Sequence, residues 1–251
     1  MKVNSWACLC CLLFLFSCST QQKYLLTRVR TPEVAGGGNN RFDIAVSKAT
    51  RMQPSTNIGA VVVDSHPTLS SSAVVNAINA FGLTDFMDIE ASWGPQQSFL
   101  TSLKIQFLGA PTSSAAQGNF SLALRAGYGL NIGAGKVSRE ELVDRRLAER
   151  TYIIESGYGV FDLMLGYRIL APLLVYVGVF RDDGRYALNF EKGIKTKIEH
   201  SVDGSGISFG TQYQRGNLLL HLFGASGKIE LPQSQVEKRQ LDIGVSLGLL
   251  Y

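Results

Sequence analysis

The sequence predicts an all-β fold, an antiparallel up-and-down transmembrane β-barrel of about ten strands. Three observations predict it. Segment after segment alternates apolar and small or polar residues with period two, between turn residues. Past the N-terminal leader no run offers the ~20 apolar residues of a membrane helix, and the longest, Ile169 to Phe180, is broken by Pro172. The final segment is the cleanest. Leu241, Ile243, Val245, Leu247, Leu249 and Tyr251 share one face, and Asp242, Gly244, Ser246 and Gly248 share the other. One apolar and one small polar face suit a strand between lipid and a polar interior.

The chain opens with Lys2 and an apolar run from Trp6 to Phe16, too short to span a bilayer. It reads as a secretory signal peptide over residues 1–17. Leu15-Phe16-Ser17-Cys18 resembles a bacterial lipobox. That resemblance implies Ser17 before the cut, lipid on Cys18, and lipoprotein processing and sorting machinery as partners. Ser19 in place of Asp favours the outer membrane under the same resemblance. The alternative is an ordinary signal peptide cut elsewhere. All four cysteines lie at or before Cys18, so the processed chain holds no disulfide framework and no thiolate metal site. No cofactor or metal is expected. Loss of Lys2 lowers the formal charge from +4 to about +3, too slight to argue for nucleic acid.

Residues 18–40 read as a lipid anchor and periplasmic tether. Thr31-Pro32-Glu33 and Gly36-Gly37-Gly38 break any period, and Lys23 to Arg30 reads as irregular. The barrel is expected over 41–251. Phe42, Ile44 and Val46 open the first strand. Ile58 to Val63 has no firm place. Residues 70–81 and 86–93 form a hairpin about Gly82-Leu83-Thr84-Asp85, with a helix as the alternative for its first arm. The string from Phe81 to Ile89 resembles a recurring strand-turn-strand of outer-membrane barrels. The last strand, ending in aromatic Tyr251, resembles the C-terminal strand of the same class. This implies that Leu247, Leu249 and Tyr251 are an assembly signal read by the barrel assembly machinery.

Strands follow over 99–108 and 119–133. Lys136 to Arg150 carries nine charged residues in fifteen and reads as a solvated outer loop, with Glu141 and Arg145 spaced for a helical ion pair and a site for anionic surface sugars or phosphates as the alternative. Along 151–168, Ile154, Tyr158 and Val160 have one parity and Leu163, Leu165 and Tyr167 the other. A bulge near Gly157 to Gly159 would reconcile them. Strands over 173–181, 204–214, 217–226 and 239–251 complete ten; eight or twelve are the alternative counts. The turns near 82–85, 170–172 and 214–217 are short and read as periplasmic, and the links near 136–150, 182–203 and 227–238 as external. An even count places the N-terminus on the periplasmic side of the outer membrane.

Asp88, Glu90, Lys104, Arg125 and Asp242 are expected inside as a structural ion-pair network, with Glu155, Asp162 and Arg168 beside them. A narrow polar path for a solute is the alternative. Tyr128, Tyr158 and Tyr167 are expected to face lipid. Only His66, His200 and His221 could serve as a hydrolase base; Ser201 points away from His200 in an extended strand and no serine neighbours His221 on its face, so an enzyme is not expected, with a barrel lipase or deacylase as the last alternative. The expected function is structural, in the envelope, or limited passive permeation. Two rivals stand beside it: a small-solute channel or transporter, and a soluble, lipid-anchored periplasmic barrel with apolar residues inside that binds an apolar ligand.

Overall fold

The computed structural model describes residues 22–24, 28–53, 68–94, 99–141, 146–190, 197–232 and 235–251. Cys18 and the stretch 58–63 lie outside the described residues. The strands are β1 (Gln22–Tyr24), β2 (Asn40–Gln53), β3 (Thr68–Thr84), β4 (Met87–Trp93), β5 (Phe99–Leu108) and β6 (Phe120–Glu141). Then come β7 (Arg146–Leu170), β8 (Leu173–Phe190), β9 (Lys197–Arg215), β10 (Leu218–Leu231) and β11 (Val236–Leu250). From β2 to β11 each strand pairs antiparallel with its sequence neighbour, and β11 closes onto β2. At the seam Asn40 and Tyr251 exchange backbone hydrogen bonds of 2.7 and 2.9 Å. This is the expected ten-stranded barrel, with 70–81 as strand, and β1 added at its rim.

The alternation decides which way the faces point. Ile243 is 68% exposed, and Tyr128 and Leu222 58% each, while Asp88, Asp162, Arg168 and Asp242 are buried inside. Every large apolar residue named for β11 faces out. The rival with apolar side chains inside is thereby overturned: the charged faces line the interior. A continuous exterior of this kind is far larger than the apolar patch a soluble protein tolerates.

Turns of two residues join β3 to β4, β7 to β8 and β9 to β10, at Asp85-Phe86, Ala171-Pro172 and Gly216-Asn217. Gly216 takes the left-handed conformation that such a turn requires, with φ +59°. The link 109–119 shares this end of the barrel. At the opposite end β6 and β7 run to 22 and 25 residues. A strand needs only ~9–11 residues to cross a bilayer, so these two project well beyond the apolar band.

Three expectations are corrected here. Residues 136–141 are strand, not loop, and Arg145 lies outside the described residues; charges on both faces hid the period. No bulge interrupts 157–159: β6 and β7 keep one register from Phe120↔Tyr167 to Glu141↔Arg146. Tyr158 and Val160 therefore face inward, and Glu155 is exposed. Register shifts occur instead at Gly82/Thr84 and Arg168/Leu170, beside two-residue turns, and at Gln106/Leu108, beside the link 109–119 at the same end.

Candidate functional site: a lumen filled by the N-terminal segment

A ten-stranded barrel leaves a narrow interior that must be filled. Its own wall does not fill this one alone. Residues 28–35, expected in a tether outside the barrel, are buried within it. Val34, Ala35 and Glu33 are fully enclosed, and Arg28, the most exposed of the charged ones, keeps 7%. The segment is extended, as Pro32 favours, and it forms no ladder of its own.

The charged side chains of the segment and several of its backbone groups find partners on the wall. Arg28 Nη1 lies 3.0 Å from an Asp182 carboxylate oxygen, and its guanidinium sits over the Tyr158 ring at 5.3 Å. Arg30 Nε donates to Asp162 at 2.7 Å and stacks over Phe180 at 4.2 Å. The Glu33 carboxylate accepts from Arg168 Nε at 2.9 Å, Arg168 Nη2 at 2.6 Å and Asn119 Nδ2 at 2.9 Å. Val34 N donates to Gln106 Oε1 at 2.8 Å, and Ala35 N to both oxygens of Asp88 at 2.9 and 3.1 Å. Below, Gly37 N donates to Asp85 Oδ1 at 3.0 Å, and Gly38 N to the Gly82 carbonyl at 2.9 Å.

The wall has its own network, and the segment completes it. Glu90 is the hub. It accepts from Lys104 Nζ at 2.9 Å, Arg41 Nη2 at 3.1 Å and Arg125 Nη1 at 3.1 Å. Arg125 then turns to Asp162, with Nη2 at 2.6 Å, so Asp162 is shared between the wall's Arg125 and the segment's Arg30. Lys104 lies 3.3 Å from Asp88 and donates to the Glu33 carbonyl at 2.9 Å. Four of the five lumenal residues expected from sequence, Asp88, Glu90, Lys104 and Arg125, thus meet in one cluster. Asp242 is buried too, but stands apart, near Gln240 at 2.7 Å and Lys48 at 3.9 Å. Asp162 and Arg168 are inside as expected.

Among the described residues, and apart from Asp242, the buried charged groups balance: Arg28, Arg30, Arg41, Lys104, Arg125 and Arg168 against Glu33, Asp43, Asp88, Glu90, Asp162 and Asp182. Such charges are tolerated in a low-dielectric interior only as paired sets. Two wall glycines make room for the segment. A Cβ on Gly82 would collide with the Gly36 carbonyl, and one on Gly166 would stand 2.5 Å from Pro32 Cγ. Beside Arg28 and Val29 a cavity of about 20 Å³ remains, edged by Asn76, Ser102 and Tyr158. That is room for about one water molecule.

Sequence reasoning missed Arg28, Arg30, Glu33, Asp43 and Asp182, and it missed what flanks His221. Register sets His221 between Gln212 and Ser246, and its Nε2 lies 3.2 Å from Asp43 Oδ1. The residue types of a hydrolytic triad are therefore present. All three are buried to 1% or less, and the Ser246 hydroxyl makes no hydrogen bond to the imidazole, so the nucleophile is neither activated nor reachable. Asp43 instead pairs with Arg41 at 3.0 Å. Tyr128 and Tyr167 face outward, at 58% and 48% exposure, as do Leu247, Leu249 and Tyr251.

No family model and no curated protein matches the chain. Solved structures similar to it include the neisserial surface protein NspA, at 11% identity and TM-score 0.36, covering 84% of this chain and 94% of that one. The outer membrane protease OmpT of Escherichia coli is similar at 10% identity and TM-score 0.44, covering 85% and 96%. Ail of Yersinia pestis, solved with a heparin analogue, is similar at 10% identity and TM-score 0.33, covering 86% and 99%. The strand pairing itself defines the barrel here.

Proposed function

We propose that the chain is an outer-membrane lipoprotein with a structural role in the envelope, built as a barrel that its own N-terminal segment plugs. The observation that carries this is the pairing of Arg28, Arg30 and Glu33 with Asp182, Asp162 and Arg168 across the lumen. A channel needs a continuous aqueous path, and a segment locked by buried ion pairs occupies that path. The apolar exterior supports a lipid environment, and the short-turn end supports a periplasmic assignment for Tyr251 and the seam. Leu247, Leu249 and Tyr251 point into that lipid and form the terminal strand presented to the assembly machinery. Cys18 carries the acyl group, and sorting by lipoprotein machinery delivers the chain. Catalysis is not part of this reading.

The test is heat-modifiability of the chain in outer membranes washed with carbonate. A band that remains in the membrane and shifts on boiling supports the integral barrel. A chain that washes out once Cys18 is replaced, with no shift, overturns it.

A further inference from the structure

The direction in which the N-terminal segment runs through the lumen fixes the side of the membrane from which it comes. β2 rises from Asn40, at the short-turn end, to Gln53, at the long-hairpin end. β1 lies antiparallel against its far end, with Gln22 opposite Met52 and Tyr24 opposite Thr50. The chain therefore arrives from beyond the long-hairpin end and descends. β1 occupies the place along β2 that β11 leaves, since β11 pairs with β2 only as far as Gly244↔Ser47.

The contacts of the segment continue the descent in sequence order. Arg28 meets Asp182, nine residues above the start of β8. Arg30 meets Asp162, eight residues from the end of β7, and Glu33 meets Arg168, two residues from it. Ala35 meets Asp88 at the foot of β4, and Gly37 meets Asp85 within a short turn. The chain then reverses through Gly38, whose φ is +76°, and enters β2 at the seam.

We propose that the protein threads its own barrel, so that Cys18 and the acyl group on it stand at the outer face of the membrane. The proposal rests on the barrel and lipoprotein reading above, and it replaces the expectation of a periplasmic N-terminus. Reach decides the matter. Met52 lies twelve residues along β2 from Asn40, which at ~3.3 Å per residue and a tilt of ~40° is about 30 Å of height. Cys18 is four residue steps before Gln22, a span of at most about 14 Å. An apolar band ~25 Å tall lies between the outer rim and the periplasmic leaflet. An acyl chain on Cys18 can enter the outer leaflet and cannot return to the inner one while β1 and the lumenal segment hold. The plug is then also the connector: it carries a lipid-bearing terminus across the membrane through a channel the chain builds around it. The even number of strands returns the barrel's own ends to the periplasm, and residues 28–38 undo that return.

Single-cysteine labelling on intact cells tests this, with a membrane-impermeant maleimide polymer read as a gel shift. Gln21→Cys reports the N-terminus, Ser234→Cys the link between β10 and β11, and Asn217→Cys a short turn. The parent chain gives the background from Cys18. The expected result is labelling of Gln21→Cys in intact cells to the extent seen for Ser234→Cys, with Asn217→Cys labelled only after permeabilisation. Labelling of Gln21→Cys only after permeabilisation, together with Asn217→Cys, overturns the threading and leaves the barrel standing. Equal accessibility of Ser234→Cys and Asn217→Cys in intact cells overturns the membrane orientation itself, and the threading with it.

Discussion

Arg168 holds Glu33 with two guanidinium nitrogens, Nε at 2.9 Å and Nη2 at 2.6 Å from its carboxylate, in a lumen where both side chains are at most 1% exposed. Forked pairs of this kind fix orientation as well as charge. Removing one partner leaves the other buried and uncompensated, at a cost of about 3–5 kcal/mol. Arg168→Leu and Glu33→Leu are each expected to lower the urea midpoint of the detergent-folded chain. The double variant should lose less than the two losses added together. Additive losses would show that the pair does not couple.

Gly82 sits where the descending segment turns. A valine there would collide with the Gly36 backbone, which has no flexible end to move aside. Gly82→Val is therefore expected to loosen residues 28–38 and leave the outer pairings intact. Arg28 and Arg30, both buried in the parent, should become cleavable by trypsin in the folded variant. Continued protection of both would contradict the packing described.

The outward face should behave as a lipid face. Val245 is 42% exposed and lies midway along the apolar row of β11. Val245→Arg is expected to cost about 2–4 kcal/mol in bilayers, as a midplane arginine does. Arg239, already charged and with its side chain 82% exposed at the outer end of that row, marks where the band stops. Glu237→Arg, beside it, should cost far less in the same bilayer titration.

Beyond the apolar band, Asp203 stands opposite Asp183 in the β8–β9 ladder. Partial burial, and then the neighbouring Asp183 carboxylate, raise its pKa above the ordinary range for aspartate. A raised folded-state pKa favours the protonated, paired form. The contribution is fully present below the unfolded value and is lost as pH rises through the folded one. Amide exchange across 197–205 is expected to be slower at pH 4 than at pH 7, after correction for intrinsic rates. Asp203→Asn should remove most of that difference, and an unchanged difference would assign it elsewhere.

The barrel was legible because its wall obeys one rule, apolar out and small or polar in, and residues 120–130 of β6 and 241–249 of β11 follow it without a break. The rule misled where the wall departs from it for a reason inside the lumen. Tyr158 and Val160 are apolar yet face inward, because Arg28 of the plug stacks on Tyr158 and gives that face something to cover. Their parity therefore suggested a bulge. Between 136 and 150 charges fall at both odd and even positions of the sequence, and no contrast remained to read. The plug itself has no period at all. Its single trace in the sequence is chemical. Arg28, Arg30 and Glu33 are charges spaced along an extended chain, with Pro32 against helix, ahead of a barrel whose inner face carries Asp162, Asp182 and Arg168 needing partners. His221 and Asp43 meet only through the β10–β11–β2 seam, a pairing between the two ends of the chain that no local pattern encodes.

Conductance in planar bilayers tests the plugged barrel most directly, comparing the full chain with one in which residues 28–36 are replaced by a short Gly-Ser loop. The full chain is expected to be silent and the variant to conduct steadily and measurably, because the ion-paired segment fills the lumen that its removal opens. A full chain that conducts as well as the variant would contradict it.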